Sequence, residues 1–269
     1  MTVGKAGIPM KEVEIYFKYL KTIGVDYVEP SPYVAPAAVQ VGVTADAPNK
    51  ATEKAGSSVA KQPPAKKWET KTTPAVAVDK PSALASLASA VAACTACGLH
   101  KTRTQTVFGS GSPDAKIMFV GEAPGADEDE QGLPFVGRAG KTLTNMIEAP
   151  TSLGVPRSEV YIANVLKCRP PGNRPPKADE IADCEHFLKA QIATIQPSFI
   201  CALGTHATHT LLKTNEPIGK LRGRFFDYEG VPLLPTYHPS FLNRSPEFKK
   251  DAWKDLLTLK DACKNKFPG

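Results

Sequence analysis

Four short apolar runs, each followed by a stretch long enough for a helix, constrain this chain more than any other feature. They are AKIMFVGE (115–122), VYIANVLKC (160–168), SFICALG (198–204) and the second half of GRFFDYEGVPLLPTYH (223–238). Runs of this length and continuity predict strands buried on both faces. Strands alternating with helices imply right-handed crossovers, hence a mainly parallel sheet with helices on both faces, a three-layer α/β/α architecture. The last run is expected to be a hairpin with its turn at Glu229-Gly230. Ligands bind such sheets at the carboxyl ends of the strands, so the loops after Val120, Val165 and Tyr237 are the ones to search.

The intervening segments read as helices. Ser82 is placed to cap SALASLASAVAAC, Arg138 to Leu153 is helical, ADEIADCEHFLKAQIATI and THATHTLLK follow, the latter from a Thr cap, and EFKKDAWKDLLTLKDAC closes the chain. The first third differs in kind. From Pro30 to Pro81 the chain is an Ala/Pro/Lys/Thr/Ser mixture with no sustained period, and it cannot offset an ordering cost of about 1–2 kcal/mol per residue. A disordered linker over 30–81 is expected. Ahead of it, Val13, Tyr16, Phe17, Leu20 and Ile23 recur at helical spacing, so residues 1–29 are expected to hold one amphipathic helix. That helix either packs on its own domain or docks on a protein partner. Residues 82–269 form the domain that carries the function.

With 42% apolar and 22% charged residues the composition is that of an ordinary globular protein. No run approaches the roughly 18 apolar residues of a membrane helix, and the first 20 residues carry charges where a signal peptide has an apolar core. A cytoplasmic protein without a membrane partner is expected. The net charge of +6 permits a polyanionic partner without requiring one. Six cysteines in such a chain suggest metal ligands, catalytic groups or buried hydrophobes ahead of disulfides. Cys94 and Cys97 form a C-x2-C pair, Cys168 follows the second strand, and Cys184 lies on the next helix. By spacing alone the four either converge on zinc or iron-sulfur, or Cys168 and Cys184 simply pack. Cys201 reads as core and Cys263 as structural.

The strand ends carry motifs. GEAPG, Gly121 to Gly125, follows the first strand, and ED-x2-G-x-PFVG-x-AG runs from Glu128 to Gly140. Glycines there let backbone N–H groups approach a ligand, and Phe135 offers a flat face. Neither G-x-G-x-x-G leading into a helix nor GK[ST] is present, which argues against dinucleotide and P-loop sites. NVLKC (164–168) ends the second strand and YHPS (237–240) the last. Asn164 and His238 are ordinary residues placed where ligands bind.

In this order, the four cysteines, GEAPG, PFVG-x-AG, NVLKCRPP and HPS closely resemble the family 4 uracil-DNA glycosylases, over residues 83 to 269. The resemblance implies a central four-stranded sheet, a [4Fe-4S] cluster on Cys94, Cys97, Cys168 and Cys184, and uracil-containing DNA as the substrate of a monomer. It implies that a uracil flipped out of the duplex stacks on Phe135 while the Asn164 amide reads its edge. His238, with backbone N–H groups near Gly121, Glu122 and Ala123, then stabilises charge on the departing O2. Ala123 departs from the superfamily branch that has a water-positioning Asp there. Glu122 and Glu128 are the candidates for that role, or Glu128 fills the space beside Gly125 and excludes thymine. The run Ala126 to Glu130 otherwise reads as a solvated acidic loop. Leu242 is expected to be the apolar wedge that enters the base stack, and Arg244 a phosphate contact. Lys167, Arg169, Arg174, Lys177, Lys220, Arg222 and Arg224 are a candidate phosphate rim. Two rival readings are a relative that links covalently to uracil-DNA through an extra histidine, for which the insert is missing, and a non-catalytic iron-sulfur DNA-binding module, to which only Ala123 points.

Overall fold

A computed structural model describes residues 79–267 of the chain. The amphipathic helix expected within 1–29 and nearly all of the expected linker lie outside the described residues. The linker's last three residues do not: Asp79 is the N-cap of the first helix, α1 (Lys80–Ala93), and Lys80 and Pro81 already belong to it. Ser82 is therefore inside the helix and is not its cap. Proline is tolerated in the first turn, where its missing N–H has no acceptor to lose.

The sheet has six strands rather than four, in the order β1-β3-β2-β4-β6-β5. The four expected strands are β2 (Ile117–Gly121), β3 (Tyr161–Asn164), β4 (Phe199–Leu203) and β6 (Val231–Thr236), and they run parallel in the centre. Two short strands lie at the sheet's edges; the first escaped the sequence reading, and the second is the outer arm of the expected hairpin. They are β1 (Ser110–Gly111), antiparallel to β3, and β5 (Phe226–Tyr228), antiparallel to β6. The β5–β6 turn falls at Glu229-Gly230 as expected, with φ of 48° and 86°, the left-handed pair a two-residue hairpin needs.

One face of the sheet packs on α3 (Arg138–Glu148), α7 (Pro239–Arg244) and α8 (Lys249–Lys266), which bring Leu143, Met146, Ile147, Leu242, Leu256 and Leu259 onto Ile117, Phe119, Ile162 and Leu234. Strand alternation turns Met118, Val120, Ile200 and Leu233 to the other face, where α5 (Gly204–Leu212) packs on β2 and β4, α4 (Ala178–Ile195) reaches β3 through Gln191 and Tyr161, and α1 packs on α4. The acidic run is helical as well: α2 (Ala126–Gln131) buries Glu128 and Asp129 and exposes Glu130. α5 begins at Gly204 with Leu203 as its N-cap, so the expected Thr cap is absent. α6 (Ile218–Leu221) leads to Arg222, whose guanidinium forks onto the buried Asp255 of α8 at 2.6 and 3.0 Å, while Thr236 donates to the same carboxylate at 2.7 Å.

β2 and β3 lie in register with Gly121 opposite Asn164. The ladder runs past the strand ends, since Val165 N–H donates to Gly121 O at 2.9 Å and Leu166 N–H to Glu122 O at 3.0 Å. β3 lies on one side of β2 and β4 on the other, so the carboxyl end of β2 is the switch point where such sheets open a crevice. No helix among the described residues is long and apolar enough to cross a membrane.

Candidate active site

A cavity of about 200 Å³ opens at that switch point, walled by Glu122 to Gly125 of the loop after β2, by Phe135, by Asn164 and by His238. Its construction starts at Gly121. A Cβ on Gly121 would sit 2.4 Å from Asn164 Oδ1 and 2.6 Å from Phe135 Cζ, so the two side chains meet over bare backbone. Asn164 is 1% exposed, and its Oδ1 has no hydrogen-bond partner among the described residues. A buried acceptor without a partner costs about 1–3 kcal/mol, so a ligand N–H at this point would recover that energy.

Phe135 is held in a left-handed conformation with φ of 53°. Three groups fix it there. Arg157 donates to Pro134 O at 2.8 Å and to Phe135 O at 3.1 Å. Glu128 accepts from the N–H groups of Val136 and Gly137 at 3.0 and 3.1 Å, and from Gly125 N–H at 3.0 Å. Gly140 supplies the remaining space, because a Cβ there would lie 1.8 Å from Phe135 O. Gly140 of PFVG-x-AG thus serves the pose of one aromatic ring, while the bare Gly137 makes room for the Asp127 carboxylate.

His238 is the N-cap of α7, and its Nδ1 accepts from Ser240 N–H at 3.1 Å. A neutral ring whose Nδ1 accepts carries its proton on Nε2, so the ring presents a donor to the cavity. Burial, with Arg244 and then His206 adding positive charge nearby, pushes its pKa down to about 4. The ring centroid lies 5.7 Å from that of Phe135. Gly204, with φ of 84°, lets α5 start directly against it, since a Cβ there would come within 2.7 Å of His238 Cβ. Burial raises the Glu122 carboxyl above its ordinary value, with His206 acting in the opposite direction. Together the cavity offers a flat apolar face, an unpaired acceptor and a neutral donor, which suits a planar heterocycle carrying an N–H beside a carbonyl.

A second, smaller cavity is lined by Cys94, Cys97, Cys168 and Cys184 together. All four are free thiols. Cys94 ends α1, Cys97 precedes a 3-10 turn (Gly98–Lys101), Cys168 follows β3 and Cys184 lies on α4. Two of the sulfurs accept hydrogen bonds, Cys168 from Arg103 at 3.1 Å and Cys184 from Lys167 N–H at 3.4 Å. Burial pushes the Cys168 thiol up, and that of Cys184 to about 11. No three His, Cys, Asp or Glu side chains among the described residues converge closely enough to hold a single ion. Cys201 is wholly buried core, and Cys263 packs against the core from α8.

Several expectations are corrected. Leu242 is fully buried in the core on α7, so it cannot be a wedge in the base stack. Arg244 on the same helix is exposed. Glu128 spends three of about four carboxylate lone-pair sites on backbone N–H groups, which leaves it unsuited to hold a water. Its Oε2 does occupy the space beside Gly125, 2.6 Å from where a Cβ would be. Lys167 is 1% exposed, Arg174 is bound to Glu180 and Arg222 to Asp255, so these three leave the phosphate rim. Lys177, Lys220 and Arg224 are exposed. The sequence reading missed Arg157, which no motif marks, and Ser240, which stands visibly in YHPS.

The sequence pattern of the Uracil DNA glycosylase superfamily matches residues 108–257. The chain is 46% identical over 175 residues to the type-4 uracil-DNA glycosylase of Thermotoga maritima, covering 64% of this chain and 90% of that protein. It is 44% identical over 188 residues to that of Saccharolobus solfataricus, covering 67% and 86%, and 39% identical over 186 residues to that of Archaeoglobus fulgidus, covering 66% and 92%.

The His238 environment gives a direct prediction. In a nitrogen-15 NMR titration its imidazole is expected to stay neutral, protonated on Nε2, until the pH approaches about 4. Because the folded value lies below the ordinary 6.5, its contribution to stability is present above that pH and is lost as the pH falls toward 4. A midpoint near 6.5 would contradict the assigned environment.

Proposed function

The chain belongs to the uracil-DNA glycosylase superfamily, and on that premise we propose that it is a DNA repair enzyme that hydrolyses the N-glycosidic bond of uracil in DNA. The unpaired Oδ1 of Asn164 carries this reading, because it meets the N3–H of uracil, while the amide N–H meets O4. Cytosine offers an acceptor and a donor at the same two places, which would leave buried groups unpaired.

The base leaves the duplex stack to reach the cavity and lies on Phe135. As the glycosidic bond breaks, negative charge gathers on uracil O2 and positive character on the sugar. His238 Nε2–H and the backbone N–H groups of Glu122 and Ala123 supply fixed dipoles for that oxygen. A neutral imidazole gains most when the oxygen is charged, so its effect belongs to the transition state more than to binding. With Ala123 unable to hold a water and Glu128 occupied by backbone, Glu122 is the carboxylate left to orient the nucleophile. Glu128 instead walls the cavity beside Gly125, where a thymine methyl would have to fit. Arg244, Lys177, Lys220 and Arg224 contact phosphates, a sequence-independent term.

Cys94, Cys97, Cys168 and Cys184 hold a [4Fe-4S] cluster. Four thiols around one cavity, without convergence on a point, suit a polynuclear cluster better than one zinc ion. Donors on two of the sulfurs are the outer-shell contacts such ligands use. When bound, the cluster ties α1, the loop after β3 and α4 covalently to one centre. The covalent alternative finds no support, since His186 lies on α4 with its ring against Phe187.

His238→Ala is expected to lower single-turnover uracil release by about 100–1000-fold, the scale of a lost oxyanion donor, with much weaker effects on DNA binding. Asn164→Ala is expected to slow release and also to narrow the preference for uracil over cytosine. Wild-type release by His238→Ala would refute the mechanism. The metal assignment has its own test. Purified protein is expected to be brown with four irons per chain, and Cys168→Ala to be bleached. Colourless protein with stoichiometric zinc would refute the cluster.

A further inference from the structure

Lys167 is among the largest fully buried side chains, at 1% exposure; it lines the cysteine cavity and reaches Asn164, which lines the other. Its ammonium donates to the backbone carbonyl of Asn164 at 2.8 Å and to Gln191 Oε1 at 2.6 Å. Gln191, itself 0% exposed, is anchored in turn, with Nε2 donating to Phe108 O at 2.9 Å and to Tyr161 Oη at 3.3 Å. The main chain of Lys167 is tied as well: its N–H donates to Cys184 Sγ at 3.4 Å, and its carbonyl accepts from Val107 N–H at 2.8 Å. Cys184 and Gln191 are seven residues apart on α4, on one helix face, so a single helix receives both the backbone and the side chain of Lys167.

Such an arrangement is hard to explain by stability alone. Lysine is rarely fully buried, and an apolar side chain could fill the same space. The buried ammonium forms no ion pair with a carboxylate among the described residues. What it does is fix the last carbonyl of β3, and with it the backbone that carries the Asn164 amide. Asn164 has bare backbone on one side, at Gly121, and its Oδ1 touches nothing that would hold it. The β2–β3 ladder holds its backbone alongside Gly121, and Lys167 holds the Asn164 carbonyl itself.

We infer that Lys167 is a positioning residue for base recognition, locking the end of β3 so that the Asn164 amide meets the edge of the base, and linking that point to the cysteine-bearing loop. The inference rests on Asn164 reading the base. Lys167 itself touches neither substrate nor the reacting atoms.

The test is a double-mutant cycle in the full-length protein, read by single-turnover release of uracil and by the rate ratio between uracil and cytosine substrates. Lys167→Met is expected to slow uracil release on the order of tenfold, the effect of one buried hydrogen bond, and to narrow the uracil-over-cytosine ratio. In an Asn164→Ala background the same change is expected to cost nothing further, and the brown colour is expected to remain in both. Wild-type release and ratio in Lys167→Met would overturn the inference. So would an equal loss in the Asn164→Ala background, which marks a general loss of structure, or a loss of colour parallel to the loss of rate, which marks an effect through the cluster. If Lys167→Met does not fold, Gln191→Leu replaces it and is expected to give a smaller loss that also vanishes with Asn164→Ala; no loss there overturns the inference. Should Asn164→Ala alone leave the uracil-over-cytosine ratio unchanged, the base-reading role itself fails, which is a separate outcome from failure of the cycle.

Discussion

The pocket depends on one close approach: Asn164 and Phe135 both rest against the backbone of Gly121, where no Cβ stands. The register of β2 and β3 places Gly121 opposite Asn164, and two further backbone hydrogen bonds carry the pairing into the loops. The remaining parts of the site are supports for that contact. Arg157, Glu128 and Gly140 hold Phe135 in a backbone conformation that a phenylalanine rarely adopts. A left-handed non-glycine residue persists only where its surroundings over-determine it. Here two ionic side chains and a missing Cβ do so.

The electrostatics of the cavity follow from the same economy of space. Gly204 brings α5 against His238, and Ser240 N–H occupies Nδ1, so the ring is confined, desolvated and limited to one tautomer. Desolvation makes the cation costly, and the neutral ring keeps its donor, which in the proposed mechanism serves a leaving group that becomes an anion. A protonated imidazole would bind more tightly to any anion, DNA phosphate included. The neutral one favours charge that develops only at the reacting oxygen.

Much of this was legible in the sequence for a physical reason: buried parallel strands are short apolar runs, and their carboxyl ends carry the residues that must face a ligand. β2, β3, β4 and β6, the Glu229-Gly230 turn, and the gathering of Phe135, Asn164 and His238 around one cavity follow from those signals. The edge strand β1 did not, whereas β5 is the outer arm of the expected hairpin. A two-residue β1 has no periodicity to detect. Leu242 was misread because HPSFLNR forms a six-residue helix, too short for its pattern to show which side faces the core. Lys167 was assigned to the surface because lysine usually lies there, and Glu128 to the substrate because nothing local reveals the backbone N–H groups, eight and nine residues away, that it accepts from.

The approach at Gly121 can be closed by a single carbon. Gly121→Ala places a methyl group 2.4 Å from Asn164 Oδ1 and 2.6 Å from Phe135 Cζ, at a position whose backbone conformation alanine can adopt. The direct measurement is single-turnover release of free uracil from a uracil-containing oligonucleotide by this variant, alongside its circular dichroism and its affinity for the same DNA. The account predicts a folded protein that still binds DNA and releases uracil at least about 100-fold more slowly, the loss expected when reacting groups are misplaced by an ångström. Release at the wild-type rate would contradict it, because the contact between Asn164, Phe135 and bare backbone would then not be what forms the site.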